Sequence, residues 1–277
     1  VLNLQTKIHF YTMEQNNNRK PDYGNWIPMP FMRILYSVSA VLLLFTAVSV
    51  LAHWSFIITL VAGVLLLASL TVTIYMQVCR NAFSFERGGL MGEIHQFLID
   101  HLDWDGHGRL LDIGCGAGAL TIRCARKFTE ASLIGIDYWG FGWDYAKEQC
   151  ERNADIEGVS GRTEFCKGDA SKLDFADGEF DAAVSNFVFH EVRTQPDKRQ
   201  LVREALRVVR KGGLFAFQDL FGSKSIYGDI HTLIDELKAE GVSEIHYVSA
   251  VGQMNFIPGY IRTPWMLRTV GLLYGRK

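Results

Sequence analysis

The feature that most restricts this chain is a run of 46 residues, 34–79, that contains no Asp, Glu, Lys or Arg. One straight helix of that length would extend about 70 Å, more than twice the hydrocarbon thickness of a bilayer, whereas two spans of about 20 residues leave a few for a turn. The run is therefore expected to form a transmembrane helical hairpin, turning near Ser49 to Ser55, where His53 and Trp54 make the polar and interfacial break. A buried helix pair in a water-soluble bundle and a monotopic hairpin dipping into one leaflet would also fit the pattern. Apolar residues on every face favour full spans.

The flanks orient the hairpin. Arg33 and Arg80, with Lys7, Arg19, Lys20 and Arg87 farther out, lie on one side, and the turn carries no Lys or Arg. The positive-inside tendency then places both termini, and the domain after the second helix, on the cytoplasmic side. His53 reads as an interfacial residue rather than a ligand, and Gly63 as a point of close helix approach. Residues 1–33 are polar and mixed, with NNNRK at 16–20 and prolines at 21, 28 and 30, while Trp26 and Phe31 fall where interfacial aromatics sit. This lead-in is expected to be irregular and not a signal peptide, because the apolar segment starts late and no cleavage site follows a short hydrophobic core.

From residue 80 the character changes. The stretch LLDIGCGAGA at 110–119 joins an apolar strand end to Gly114, Gly116 and Gly118, and residues 120–128 continue with helical spacing. A strand, a glycine turn and a helix start present backbone N–H groups and a positive helix end to a ligand above the sheet. Gly114, Gly116 and Ala119 also satisfy the loose dinucleotide pattern GxGxxG/A, and Asp137 lies about 20 residues on, so the glycines alone leave an NAD-linked oxidoreductase open. Three features point elsewhere. Asp112 puts a carboxyl at the strand tip, Asp169 in CKGDA follows a later strand, and LDFADGEFDAAVSN leads directly into another strand.

In these motifs, from about residue 85 to residue 277, the chain resembles the class I S-adenosylmethionine (SAM)-dependent methyltransferases. The resemblance implies a Rossmann-like α/β fold, a seven-stranded, mostly parallel sheet with helices on both faces, here preceded by the all-α transmembrane hairpin. It implies SAM as co-substrate, with Asp137 accepting hydrogen bonds from the ribose hydroxyls and Asp169 from the adenine amino group, beside a backbone N–H from Ala170. Gly114, Gly116 and Gly118 would let the backbone approach the methionine moiety, and Asp112 would hold the loop and reach the amino group. The backbone carbonyl of Asn186 would complete the site. Tyr138 and Trp139 either pack on the ribose or adenine or fill the core.

Strands are expected at 109–113, 132–137, 163–167, 180–186, 214–219, 244–249 and 269–274. Helices are expected at 90–102, 143–153, 197–210 and 225–240, with Lys211, Gly212 and Gly213 ending the third of these. Such alternation requires a mostly parallel sheet with its ligand at the carboxyl ends of the strands. The chain thus divides into a polar segment (1–33), the hairpin (34–79) and a catalytic domain (80–277).

The run NFVFHEV at 186–192 would lie next to the transferable methyl group, and His190 with Glu191 is the titratable pair there. His190 is the candidate catalytic residue, a general base for a hydroxyl or phenol. The alternative is a histidine that only caps the loop. An acceptor that is already nucleophilic needs only positioning and desolvation. NFVF in place of an NPPY-type motif disfavours methylation of planar amines, and no acidic cluster suggests a metal. A formal net charge of -2, with no basic stripe, gives no reason to expect a nucleic-acid partner. The five cysteines show no CxxC spacing and read as free thiols in a reducing compartment. Within the class, the run through VFHEV and the closing LLYGRK resemble the branch that modifies small molecules such as quinones, sterols and other lipids. Residues 253–266, QMNFIPGYIRTPWM, either line a lipophilic pocket, touch the membrane, or form an ordinary crossover.

The expectation is a membrane-anchored methyltransferase for a small, hydrophobic acceptor at the cytoplasmic face. An NAD-linked oxidoreductase, or a SAM-binding membrane sensor or scaffold without turnover, is the alternative.

Overall fold

The computed structural model describes residues 20–86, 89–140, 147–263 and 265–277. The chain divides into two compact units, one of residues 24–92 and one of residues up to 23 together with 93–277.

In the first unit α1 (Met29–Leu51) and α2 (Phe56–Phe83) pair as a hairpin. Pro28 precedes α1, where its fixed φ suits a helix start, and the Ser55 hydroxyl caps α2 by accepting from Ile58 N at 3.5 Å. Lengths of 23 and 28 residues correspond to about 35 and 42 Å, enough for a bilayer core. Only 11% of each apolar window is buried within the chain. Where the helices meet, Ser39 Oγ lies 2.8 Å from Ser69 Oγ and 2.9 Å from Thr73 Oγ1, and the Tyr36 hydroxyl donates to the Gln77 side chain. Small hydroxyl residues therefore make the close approach. Gly63 does not, since a Cβ there would meet nothing within 4 Å.

In the second unit β1 (Gly108–Ile113), β2 (Ala131–Asp137), β3 (Thr163–Lys167), β4 (Phe180–Asn186), β5 (Val209–Asp219), β6 (Glu244–Val248) and β7 (Gly271–Arg276) form one sheet in the order β3-β2-β1-β4-β5-β7-β6. The neighbours from β3 to β5 run parallel, and β7 is antiparallel to both β5 and β6. The expected mostly parallel seven-stranded sheet is present. The strands are apolar on both faces because helices cover both: Leu110, Leu111, Ile113, Phe215 and Phe217 are all buried. The helices are α3 (Leu90–Asp100), α4 (Ala119–Lys127), α5 (Lys147–Ile156), α6 (Lys198–Arg207), α7 (Lys224–Tyr227) and α8 (Ile230–Ala239). Strand order reverses between β1 and β4, which opens a crevice above their carboxyl ends.

Three local expectations need correction. β5 starts at Val209 rather than 214, because Gly212 N donates to Lys277 O at 2.6 Å and Lys277 N to Gly213 O at 2.9 Å, drawing the supposed cap into the sheet. The helix expected over 225–240 is two helices, broken at Gly228 (φ 69°), with Asp229 capping the second. β7 is shifted to pair Gly271 with Asp219. The helix start expected at 143 lies outside the described residues.

Candidate active site

The glycine turn after β1 is held from three directions. Gly114 N and Cys115 N both donate to Ile136 O, at 2.8 and 2.9 Å, which ties the turn to β2. Gly114 has φ 78°, and a Cβ there would lie 2.2 Å from Val188 Cγ2, so only glycine fits between this turn and the one after β4. Gly118 (φ 82°) is the N-cap of α4. Asp137, at the tip of β2, accepts from Gly116 N at 2.9 Å through one oxygen and from Trp139 N at 2.8 Å through the other. Each oxygen keeps a lone pair for a further donor.

Asp112 is buried under this turn and accepts from Thr121 Oγ1 of α4 at 2.6 Å, while its other oxygen has no partner among the described residues. Burial pushes its carboxyl up to about 7 against the pull of the Thr121 hydrogen bond, and the nearby Asp137 charge adds to the rise. An orphaned, buried acceptor of this kind fits a cationic donor such as the amino group of SAM.

Tyr138 and Trp139 divide their roles. Trp139 Nε1 donates to Gly116 O at 3.0 Å, whereas the Tyr138 ring is 59% exposed, with Lys167 Nζ 5.3 Å from its centre. Asp169 Oδ1 accepts from Ser171 N at 2.8 Å and Thr194 Oγ1 at 3.0 Å, next to buried Ala170. Partial burial raises the Asp169 carboxyl, but these hydrogen bonds outweigh it and set it below its ordinary value.

The ends of β4 and β5 form the other wall. The Asn186 side chain accepts from Gln218 Nε2 at 2.9 Å, and Phe187 follows in the left-handed region (φ 59°), its N–H donating to Gln218 O at 2.8 Å. A bulky residue there costs about 1–3 kcal/mol and persists only where its surroundings enforce it. The chain then makes a 3₁₀ turn, Phe189–Glu191, which sets His190 over the end of β5. His190 Nδ1 donates to Asp219 Oδ1 at 2.8 Å, and Nε2 lies 3.4 Å from Glu191 Oε1. Burial works against a charged imidazole, but the Asp219 and Glu191 hydrogen bonds and charges overcome it and hold His190 up at about 9.

Residues 111–217 match the family described as "Methyltransferase domain". Over these residues the sheet-bearing unit is similar to methyltransferase domains. The match favours the methyltransferase expectation over the dinucleotide alternative, and β7 lies antiparallel inside the sheet. The chain is similar to a sterol 24-C-methyltransferase of Aspergillus fumigatus, 35% identical over 107 residues, which are 39% of this chain and 26% of that protein. It is also similar to a fatty-acid O-methyltransferase of Mycolicibacterium smegmatis, 34% identical over 111 residues, 40% of this chain and 36% of that protein. A release factor glutamine methyltransferase of Chlorobaculum tepidum is 31% identical over 143 residues, 49% and 47% of the two chains. The chain spans less than half the length of these curated relatives. Among solved structures, geranyl diphosphate methyltransferase in complex with SAM superposes with a TM-score of 0.51 at 15% identity, covering 69% of this chain and 87% of that one, which shows the class I fold.

The candidate site also includes residues that the motifs did not reveal. Asn153 of α5 is fully buried: its Nδ2 donates to Ala117 O at 3.0 Å and to Asp22 O at 2.8 Å, and its Oδ1 accepts from Asp22 N. Cys150 Sγ donates to Gly116 O at 3.1 Å. Asp219 is buried and was legible only as the end of a strand. The helical position of Asn153 and Cys150 signals a buried face, but not that this face meets the glycine turn.

Proposed function

We propose that the chain is a membrane-anchored enzyme that transfers the methyl group of SAM to a small, lipophilic acceptor at the cytoplasmic face. The observation that carries this reading is the Asp137 carboxylate closing the glycine turn at Gly116 N, 2.9 Å away, beside the orphaned Asp112 oxygen. Together they offer acceptors for ribose hydroxyls and for an ammonium group over a turn that admits no side chain. Gly118 and the start of α4 add N–H groups, and Asp169, Ala170 and Asn186 line the route toward the adenine and the methyl group. When bound, SAM supplies an electrophilic methyl group on a positively charged sulfur. The turn carrying His190 packs on the glycine turn through Val188 and Gly114, so this histidine is assigned to the acceptor side.

The membrane part of the reading rests on α1 and α2, whose apolar side chains are largely exposed, and on Arg33 and Arg80 at the same end of the hairpin. The lipophilic acceptor is supported by sterol and fatty-acid methyltransferases among the relatives, and by exposed Tyr260 and Trp265 in the β6–β7 connection. Tethering at the bilayer raises the effective concentration toward an acceptor dissolved in lipid.

The test uses the full chain in lipid nanodiscs with methyl-labelled SAM and a membrane lipid extract, together with impermeant thiol labelling of Ser55→Cys in intact cells. Label recovered in the lipid fraction and a turn reactive from outside are expected. SAM binding with no transfer to any lipid-soluble acceptor would favour the scaffold reading, and an inward-facing turn would reverse the topology.

A further inference from the structure

We propose that the segment just ahead of the hairpin, Asp22 with Tyr23, is part of the cofactor site, and that Asn153 is the positioning residue through which it acts on the glycine turn. The inference rests on the SAM reading above and deepens it.

Two stripes of α5 cross at Asn153. Gln149, Asn153 and Glu157 are spaced by four, so they follow one line along the helix and just past its end. All three hold the segment. Gln149 Nε2 donates to Asp22 O at 2.6 Å, Asn153 pairs with both main-chain groups of Asp22 at 2.8 and 2.9 Å, and Glu157 Oε1 accepts from the Tyr23 hydroxyl at 3.3 Å. Cys150 and Asn153, three apart, form the neighbouring stripe, and these two reach the glycine turn: Cys150 Sγ at Gly116 O and Asn153 Nδ2 at Ala117 O. Glu157 adds a second tie, since its Oε2 pairs with Arg126 of α4 at 2.8 Å, and α4 is the helix that starts from the turn.

The Asn153 amide is fully committed between the two. A primary amide has two N–H donors; here Nδ2 serves Asp22 O and Ala117 O, while Oδ1 takes the Asp22 N–H. The side chain is 0% exposed, so departure of the segment strips it of a donor's and an acceptor's partner together and leaves it free to turn off Ala117 O. That carbonyl matters because the C=O and N–H of a trans peptide point in opposite directions, and no described peptide is cis. With Gly116 O held by Trp139 Nε1 and Cys150 Sγ, the Ala117 N–H points away from both; Asn153 fixes the next peptide plane in the same way. The orientation of the turn's main chain is thus set from behind, and the segment completes that support. Residues up to 23 and 93–277 form one compact unit, so the hairpin interrupts the sheet-bearing unit rather than preceding it, and a domain cut from residue 80 onward would lack this support.

The linkage is reciprocal: if docking of the segment tightens SAM binding, SAM tightens docking by the same factor. The test uses the full chain in nanodiscs, with SAM affinity from calorimetry and hydrogen exchange of the Asp22 amide with and without saturating SAM. Exchange at Asp22 is expected to slow by about 5- to 10-fold when SAM binds. Asp22→Pro removes the N–H given to Asn153, and the pair Tyr23→Phe with Gln149→Ala removes two holds on the segment while leaving its backbone and Asn153 in place. Each variant should weaken SAM by about 5- to 10-fold. A segment that only packs against α5 would exchange alike in both states. SAM affinity equal to the parent's in either folded variant, or Asp22 exchange that SAM leaves unchanged, overturns the proposal. A folded parent chain that binds no SAM would overturn the SAM reading itself, and this inference with it.

Discussion

The two walls of the crevice are built on opposite plans. At the ends of β1 and β2 the backbone does the holding: glycines, main-chain N–H groups and one carboxylate fix a turn that leaves no room for side chains. At the ends of β4 and β5 side chains do it, through Asn186 with Gln218 and His190 with Asp219, over a strained Phe187. The first plan suits a ligand that never changes; the second suits an acceptor, because titratable and replaceable groups can be retuned without moving the sheet.

The largest effect should come from Gly114→Ala. The new methyl group would sit 2.2 Å from Val188 on a left-handed backbone, so both walls must shift. SAM affinity should fall by about 100-fold, and stability by about 2–4 kcal/mol, measured by calorimetry and thermal unfolding. Retained affinity would mean that the turn is not rigid and that the contrast between the walls is false.

Asp112→Asn separates stability from binding on the first wall. The folded pKa of Asp112 is raised to about 7 from an ordinary 3.8, so the folded state holds its proton more tightly. The stability this gives is full below pH 4 and is lost as pH rises through 7. The amide should therefore make the protein more stable at pH 8 by about 1–3 kcal/mol and little different at pH 4, while weakening SAM binding. Equal stability changes at both pH values would contradict the raised pKa.

The second wall should show a related dependence through His190. Its pKa is raised from 6.5 to about 9, so its contribution is fully present below pH 6.5 and lost as pH rises through 9. His95 works the other way. Burial, aided by the Arg123 charge, lowers it to about 3, so the stability it confers is lost as pH falls from 6.5 toward 3. Denaturation midpoints across pH 3–10 should decline at both ends, with His190→Gln flattening the alkaline limb and His95→Gln the acid limb.

Smaller effects test how far the first wall extends. Asn153→Ala removes the link from Ala117 to the Asp22 backbone, which lies just ahead of α1 in the sequence, and should cost several-fold in SAM affinity and about 1–3 kcal/mol. Tyr138→Ala, on an exposed ring, should change SAM affinity less than about twofold. A large Tyr138 effect would show that this ring closes over the ligand.

The same contrast explains what could be read from the chain alone. β3 and β4 fall where alternation and flanking residues place them, and Asp112, the glycines and Asp137 are recognisable because their spacing is local. The start of β5 was not legible, since it depends on Lys277 reaching back to Gly212 and Gly213 from the far end of the chain. The same holds for the second wall. His190 and Asp219 are 29 residues apart, and Asn186 and Gln218 are 32 apart; each pair exists only because β4 and β5 are neighbours in the sheet. Gly63 misled for a related reason: the seam of the hairpin is marked by Ser39, Ser69 and Thr73, and periodicity alone does not say which face of an apolar helix meets its partner.

The most direct test of the account is calorimetric titration of the full chain with SAM and with its demethylated product, beside an Asp137→Ala control. Micromolar binding of both, weakened at least about tenfold in the variant, is the predicted result. A folded protein that binds neither, or one whose Asp137→Ala variant binds SAM as well as the parent does, would contradict it.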